Sequence, residues 1–178
     1  MKKCLIIIDM QNDFITGSLG SLDAQAIVPN VVARANEYEP EEIMFTADRH
    51  NYDYLNTLEG KKLPVKHCIM GTDGYKIIAP LEGFIQPHSR EVFPKPTFGS
   101  TDLQEYLCTL NSQEEIEELE FCGVCTDICV ISNVLAARMV LPNTKITVRA
   151  NCCAGVTPEK HEAALKAMES CQIDVIWD

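Results

Sequence analysis

Apolar positions along the chain fall into two alternating rhythms. Leu5, Ile6, Ile7 and Ile8 form a continuous apolar run that stops at Asp9, the pattern of a strand buried on both faces. Similar short runs recur at 43–46, 91–93, 118–122, 145–149 and 173–177. Between them, apolar residues return at helical spacing over about 25–38, 101–110, 126–139 and 158–171,. Pro29 is read as part of the first turn of the earliest helix,. The last helix opens with Thr157 as N-cap and Pro158 at its first position,. This alternation predicts a three-layer α/β/α fold with a mainly parallel, doubly wound sheet of about six strands. Ligands of such sheets bind beyond the carboxyl ends of the strands.

One stretch breaks the alternation. Residues 48–90 are rich in Gly, Pro, Asn and His and include His50, His67 and His88. Within a single domain spanning 1–178, a segment this long without periodic structure is expected to be a functional loop. The acidic run Glu114, Glu115, Glu117, Glu118 and Glu120 reads as a solvated helix face leading into a strand.

Composition narrows the class. The chain has 178 residues, 46% of them hydrophobic, enough for a sizeable core. Its 26 acidic and 15 basic side chains give a net charge of −11. That balance excludes a surface built on clustered Lys and Arg for nucleic acid or an anionic membrane. A small-molecule or protein partner is the expectation that remains. No run approaches the roughly 20 apolar residues needed to span a bilayer, and the apolar run before Asp9 is too short for a secretory core. The expected location is therefore cytoplasmic, where nine cysteines are reduced and mostly buried as small hydrophobes.

Three reactive residue types sit where predicted strands end: Asp9, Lys95 and the segment from Cys125 to Cys129. Brought to one crevice, a carboxylate, an ammonium and a thiol supply what acyl transfer needs. Singly, each has a plainer reading, as a turn residue, an exposed lysine and a core cysteine. Cys122, Cys125 and Cys129 also make a C-x2-C-x3-C cluster, which suggests metal or iron–sulfur ligation, or a dithiol. A second constellation, Asp48, His50, Glu59 and His67, combines carboxylate and imidazole in the way that suits Zn²⁺, Fe²⁺ or Mn²⁺.

The ordered motifs Leu5-Ile6-Ile7-Ile8-Asp9-Met10-Gln11-Asn12-Asp13-Phe14, Thr46-Ala47-Asp48-Arg49-His50, His67-Cys68-Ile69-Met70-Gly71-Thr72-Asp73-Gly74, Phe93-Pro94-Lys95, Phe98-Gly99-Ser100-Thr101 and Gly123-Val124-Cys125-Thr126-Asp127-Ile128-Cys129-Val130 resemble the cysteine hydrolases of the isochorismatase-like superfamily, and within it the nicotinamidases. The resemblance implies a catalytic triad of Asp9, Lys95 and Cys129. It also implies a non-proline cis peptide between Val124 and Cys125, and an oxyanion hole from the backbone N–H groups of Cys125 and Cys129. It implies a divalent ion on Asp48, His50 and His67. Many members add a His where this chain has Asn56; others use a Glu at the position of Glu59, which completes the expected ligand set.

By the same resemblance, the reaction is hydrolysis of nicotinamide to nicotinate and ammonia through a cysteine thioester, in pyridine nucleotide salvage. The ion would bind the pyridine nitrogen. Assembly as a homo-oligomer is implied too. Nicotinamidases commonly stack an aromatic residue from just before the His-Cys motif on the pyridine ring; here that stretch is Lys62-Leu63-Pro64-Val65-Lys66, leaving Phe14 and Phe98 as the expected aromatic walls. A related amidase for another small amide, carbamoyl or ureido compound is the alternative. A non-catalytic binding protein of the same fold comes last.

Overall fold

A computed structural model describes residues 2–85 and 92–177; His88, and Glu91 at the start of the third expected strand, lie outside the described residues. The strands are β1 (Lys2–Ile8), β2 (Ile43–Asp48), β3 (Val92–Lys95), β4 (Ile116–Val124), β5 (Lys145–Ala154) and β6 (Asp174–Ile176). They form one sheet in the order β3-β2-β1-β4-β5-β6, and every neighbouring pair is parallel. Because β1 lies inside the sheet with a partner on each side, Cys4 to Ile8 are fully buried. That explains the unbroken apolar run, since a sheet with helices on both faces has no solvent-facing side.

The helices are α1 (Asn12–Ile15), α2 (Leu22–Ala35), α3 (Leu58–Lys62), α4 (Ala79–Glu82), α5 (Thr101–Gln113), α6 (Ile131–Val140) and α7 (Pro158–Ser170). Ser21, Ser100 and Thr157 cap α2, α5 and α7 by accepting from the N–H groups of Ala24, Leu103 and Lys160,. The apolar stripe Ala24, Ile27, Val31 and Ala35 turns α2 toward the core,. No helix of the described residues is long and apolar enough to cross a membrane.

Four features differ from the sequence reading. Helix α2 starts at its Ser21 cap, so Pro29 lies in its interior rather than in its first turn. The missing N–H is tolerated because Gln25, whose carbonyl would have received it, is on the exposed side of the helix,. Helix 126–139 is two pieces: a π-helical turn over Thr126–Val130 runs into α6. Strand β5 continues to Ala154 through a register shift against β4, so Cys152 and Cys153 are strand residues.

The acidic run leads into a strand as expected, with Glu118 and Glu120 in β4, but it is not a solvated helix face, since α5 ends at Gln113. Glu118 meets Lys145 at 2.9 Å. Glu120 is 1% exposed and accepts from Arg34 Nη2 at 2.7 Å and from Arg149 Nε at 3.1 Å. A carboxylate this deep is tolerable only when paired and hydrogen-bonded.

Candidate active site

Four adjacent strand ends deliver the reactive groups to one crevice. Lys95 ends β3, Asp48 ends β2, Asp9 follows β1, and Cys125 and Cys129 follow β4. Registers of Asp48 against Lys95 and of Ile8 against Gly123 bring these ends level. Gly123 is required where β4 meets β1: its φ is +116, and a Cβ there would lie 2.2 Å from the Ile8 carbonyl oxygen. The peptide from Val124 to Cys125 is cis. The chain then closes the π-helical turn, in which the N–H groups of Ile128 and Val130 both donate to the Cys125 carbonyl, and Cys129 lies inside that turn.

Lys95 is the hub. Its ammonium lies 2.6 Å from Asp9 Oδ2, 3.4 Å from Cys129 Sγ and 3.7 Å from Asp48 Oδ1. Lys95 and Asp9 are almost completely buried, as is Cys129. Burial by itself would neutralise the lysine, but the charges of Asp9, Cys129 and Asp48 outweigh it and hold the ammonium protonated,. Burial, together with the negative charge of Asp9, pushes the Cys129 thiol well above its ordinary range. Burial also raises the Asp9 carboxyl against the opposing charge of Lys95. The cysteine sulfur and the Asp9 carboxylate thus lie on the same buried ammonium, an arrangement in which thiol ionisation needs only a short proton transfer.

Asp9 adopts a left-handed backbone, with φ 50, which Asp reaches more readily than most residues. Thr46 Oγ1 donates to Asp9 Oδ1 at 2.6 Å and fixes its orientation. Asn133, fully buried in α6, donates to the carbonyls of Cys129 and Phe98 and accepts from the Ser100 N–H. It thereby ties the cysteine turn to the loop carrying Phe98. The rest of the first motif holds the long loop in place. Gln11 donates to the carbonyls of Asp48 and Tyr75 and accepts from the Asp48 N–H, while Asp13 accepts from the Cys68 N–H.

Beside the triad, Asp48, His50 and His67 present donor atoms that all lie within 4.8 Å of one another. Asp48 Oδ2 is 3.0 Å from His50 Nε2 and 3.3 Å from His67 Nε2. Glu59 Oε1 is 3.7 Å and 3.6 Å from the same two nitrogens. Donors about 2.1 Å from a common ion stand roughly 3.0–3.4 Å apart, so the spacing of Asp48 from each histidine fits a small divalent cation.

Two further observations agree with that fit. His50 Nε2 is buried with no aligned hydrogen-bond partner. His67 Nδ1 lies 2.8 Å from the Val65 carbonyl, which can only accept, so Nδ1 carries the hydrogen and Nε2 can turn its lone pair inward. Asp9 and Asp48 share the Lys95 ammonium, and Glu59 adds a third carboxylate beside the two histidines, negative charge that a cation would offset. Cys122, Cys125 and Cys129 form no such group among the described residues, and all nine cysteines are free thiols.

A cavity of about 470 Å³ opens onto the thiol, lined by Asp48, His67, Cys125 and Cys129, with Phe14 and Phe98 among its walls. Leu63 stands on the same lining, in the stretch where an aromatic residue is absent. Thr46, Gln11, Asn133 and Tyr54 are the participants that sequence reasoning missed. Tyr54 is buried, with its ring 4.6 Å from His50 and 5.0 Å from His67. Gln11 and Thr46 lie inside the motifs named above, whereas Asn133 and Tyr54 stand outside them.

The match to known proteins is end to end. The family model described as Isochorismatase domain matches residues 3–176. The chain belongs to the isochorismatase family. It is accordingly an isochorismatase-family hydrolase with nicotinamidase-like relatives. It is 30% identical over 179 residues to PncA of Bacillus subtilis (strain 168), an uncharacterized isochorismatase family protein, covering 93% of each chain. It is 25% identical over 206 residues to the nicotinamidase of Schizosaccharomyces pombe, covering 97% of this chain and 91% of that one. The crystal structure of nicotinamidase PncA from Bacillus subtilis superposes with a TM-score of 0.83 at 28% identity, covering 99% of this chain and 100% of the other.

Proposed function

We propose that the protein hydrolyses nicotinamide to nicotinate and ammonia. The observation that carries the reading is the buried Lys95 ammonium bridging the Asp9 carboxylate at 2.6 Å and the Cys129 sulfur at 3.4 Å, beside a cation-binding group. The named nicotinamidase relatives support the substrate.

In this mechanism Asp9 takes the Cys129 proton as the sulfur attacks the amide carbon, and Lys95 offsets the negative charge that remains. The carbonyl electrons move to oxygen, and the backbone N–H groups of Cys125 and Cys129 stabilise that oxyanion. Collapse breaks the C–N bond, Asp9 returns its proton to the departing nitrogen, and ammonia leaves a thioester on Cys129. Water, deprotonated by Asp9, attacks the thioester; nicotinate leaves and the thiol is restored.

A divalent ion, zinc, iron or manganese, held by Asp48, His50, His67 and Glu59 would supply a Lewis-acidic point that takes the ring nitrogen and so orients the amide. Phe14 and Phe98 form aromatic walls for the ring. The test is ammonia release from nicotinamide: Cys129→Ala abolishes it and a thioester accumulates in rapid-quench mass spectra of the unaltered enzyme. Full activity in Cys129→Ala would refute the mechanism.

A further inference from the structure

The reacting thiol lies at the inner end of a space much larger than a single substituted ring. The catalytic cavity of about 470 Å³ adjoins an outer groove of about 640 Å³. Glu59, Leu63, Phe98 and Ile128 line both, so the two spaces meet at those side chains. Each volume falls within the roughly 300–1,000 Å³ that drug-sized ligands occupy.

The outer groove is walled chiefly by Tyr54, Leu58, Leu63, Pro96, Phe98 and Ile128. Three of these apolar side chains are unusually open for their size: Leu58 is 73% exposed, Phe98 47% and Leu63 38%. Single exposed apolar residues are ordinary, whereas several gathered in one concavity mark a binding surface. What occupies this groove is indicated by its continuity with the catalytic cavity. His50 and Glu59 line it from the cation side, while Cys129, Asp48 and His67 line the inner cavity. A ring held between the cation group and the thiol therefore sits at the junction, and a substituent pointing away from the amide enters the groove.

We propose that the preferred substrate is a heteroaromatic carboxamide carrying an apolar substituent, and that Leu58, Leu63 and Phe98 bind that substituent. This rests on the amidase reading above and deepens it. Leu63 lines both spaces with an aliphatic side chain, which suits a wall that opens outward rather than one that closes on a single ring.

The test compares kcat/KM, from ammonia release, for nicotinamide and for nicotinamides alkylated meta to the carboxamide with methyl, propyl and pentyl chains. Each methylene that enters the groove should raise kcat/KM about three- to fourfold. Leu58→Asp, at an open position that the fold does not depend on, should lower the ratio of the pentyl compound to nicotinamide by at least about fivefold. Turnover of nicotinamide with a flat or falling series overturns the inference and leaves the amidase reading intact. A rising series unchanged by Leu58→Asp also overturns it, because the chain then binds elsewhere. Absence of ammonia from every compound overturns the amidase reading and this inference with it.

Discussion

Replacing Lys95 by methionine keeps most of the apolar stem of the side chain and removes its charge. In the folded protein that leaves Asp9, which is 0% exposed, and Asp48, which is 4% exposed, without their shared cation. At 2.6 Å and an effective dielectric constant of about 20, the attraction to Asp9 alone is about 6 kcal/mol. Part of this only offsets desolvation, so losing one partner of such a buried pair costs about 3–5 kcal/mol. For a chain of this size that lowers Tm by about 6–20 °C.

The sharper measurement is a double-mutant cycle with Asp9→Asn, followed by thermal and urea unfolding. The double variant should be more stable than the sum of the two single losses predicts, by about 2–3 kcal/mol, because the partners no longer strand each other. Losses that add to within about 0.5 kcal/mol, or a Lys95→Met protein with unchanged Tm, would show that this ion pair does not hold the strand ends together.

Three other outcomes follow from the geometry. His50→Ala and His67→Ala should each purify with little or no divalent ion by elemental analysis, and Glu59→Gln should retain more of it; stoichiometric ion in both histidine variants would refute the ligand assignment. Gly123→Ala should accumulate as insoluble protein, since its Cβ would lie 2.2 Å from the Ile8 carbonyl oxygen at φ +116; a soluble variant of normal Tm would contradict that close approach. His161, half-buried, with Nδ1 2.8 Å from Thr126 Oγ1, has its pKa depressed by burial. The unfolded chain therefore binds a proton below about pH 6.5 that the folded chain resists, and stability falls as pH drops through that range. His161→Gln should show a smaller loss of urea midpoint between neutral pH and pH 5; identical losses in both proteins would refute the assignment.

What the sequence makes legible follows from which interactions are local. A parallel strand covered on both faces leaves an unbroken apolar run, so β1 and the residue that ends it can be read from the chain directly, and the sheet follows from strand–helix alternation. The placement of Asp9, Lys95 and Cys129 depends on that topology and was open to the same reading. The burial of Glu120 leaves no local trace because its partner Arg34 is 86 residues away; in a row of glutamates nothing nearby in sequence distinguishes the buried one. The helix instead begins at its Ser21 cap, upstream of the apolar periodicity that suggests a start near Gln25, and this leaves Pro29 in its interior. Tyr54 and Asn133 act through contacts that only the folded chain creates.

The level strand ends carry a consequence for how this chain can change in length. Side chains alternate faces along a strand, so adding or deleting one residue within β1, β2, β3 or the end of β4 would turn the functional group at its tip to the opposite side of the sheet. Substitution at most positions in these strands changes packing, whereas a one-residue insertion removes a reactive group from the crevice without altering its identity. Length variation compatible with the chemistry is therefore confined to segments outside these strands, such as the connection from α5 to β4 or the turn between α6 and β5.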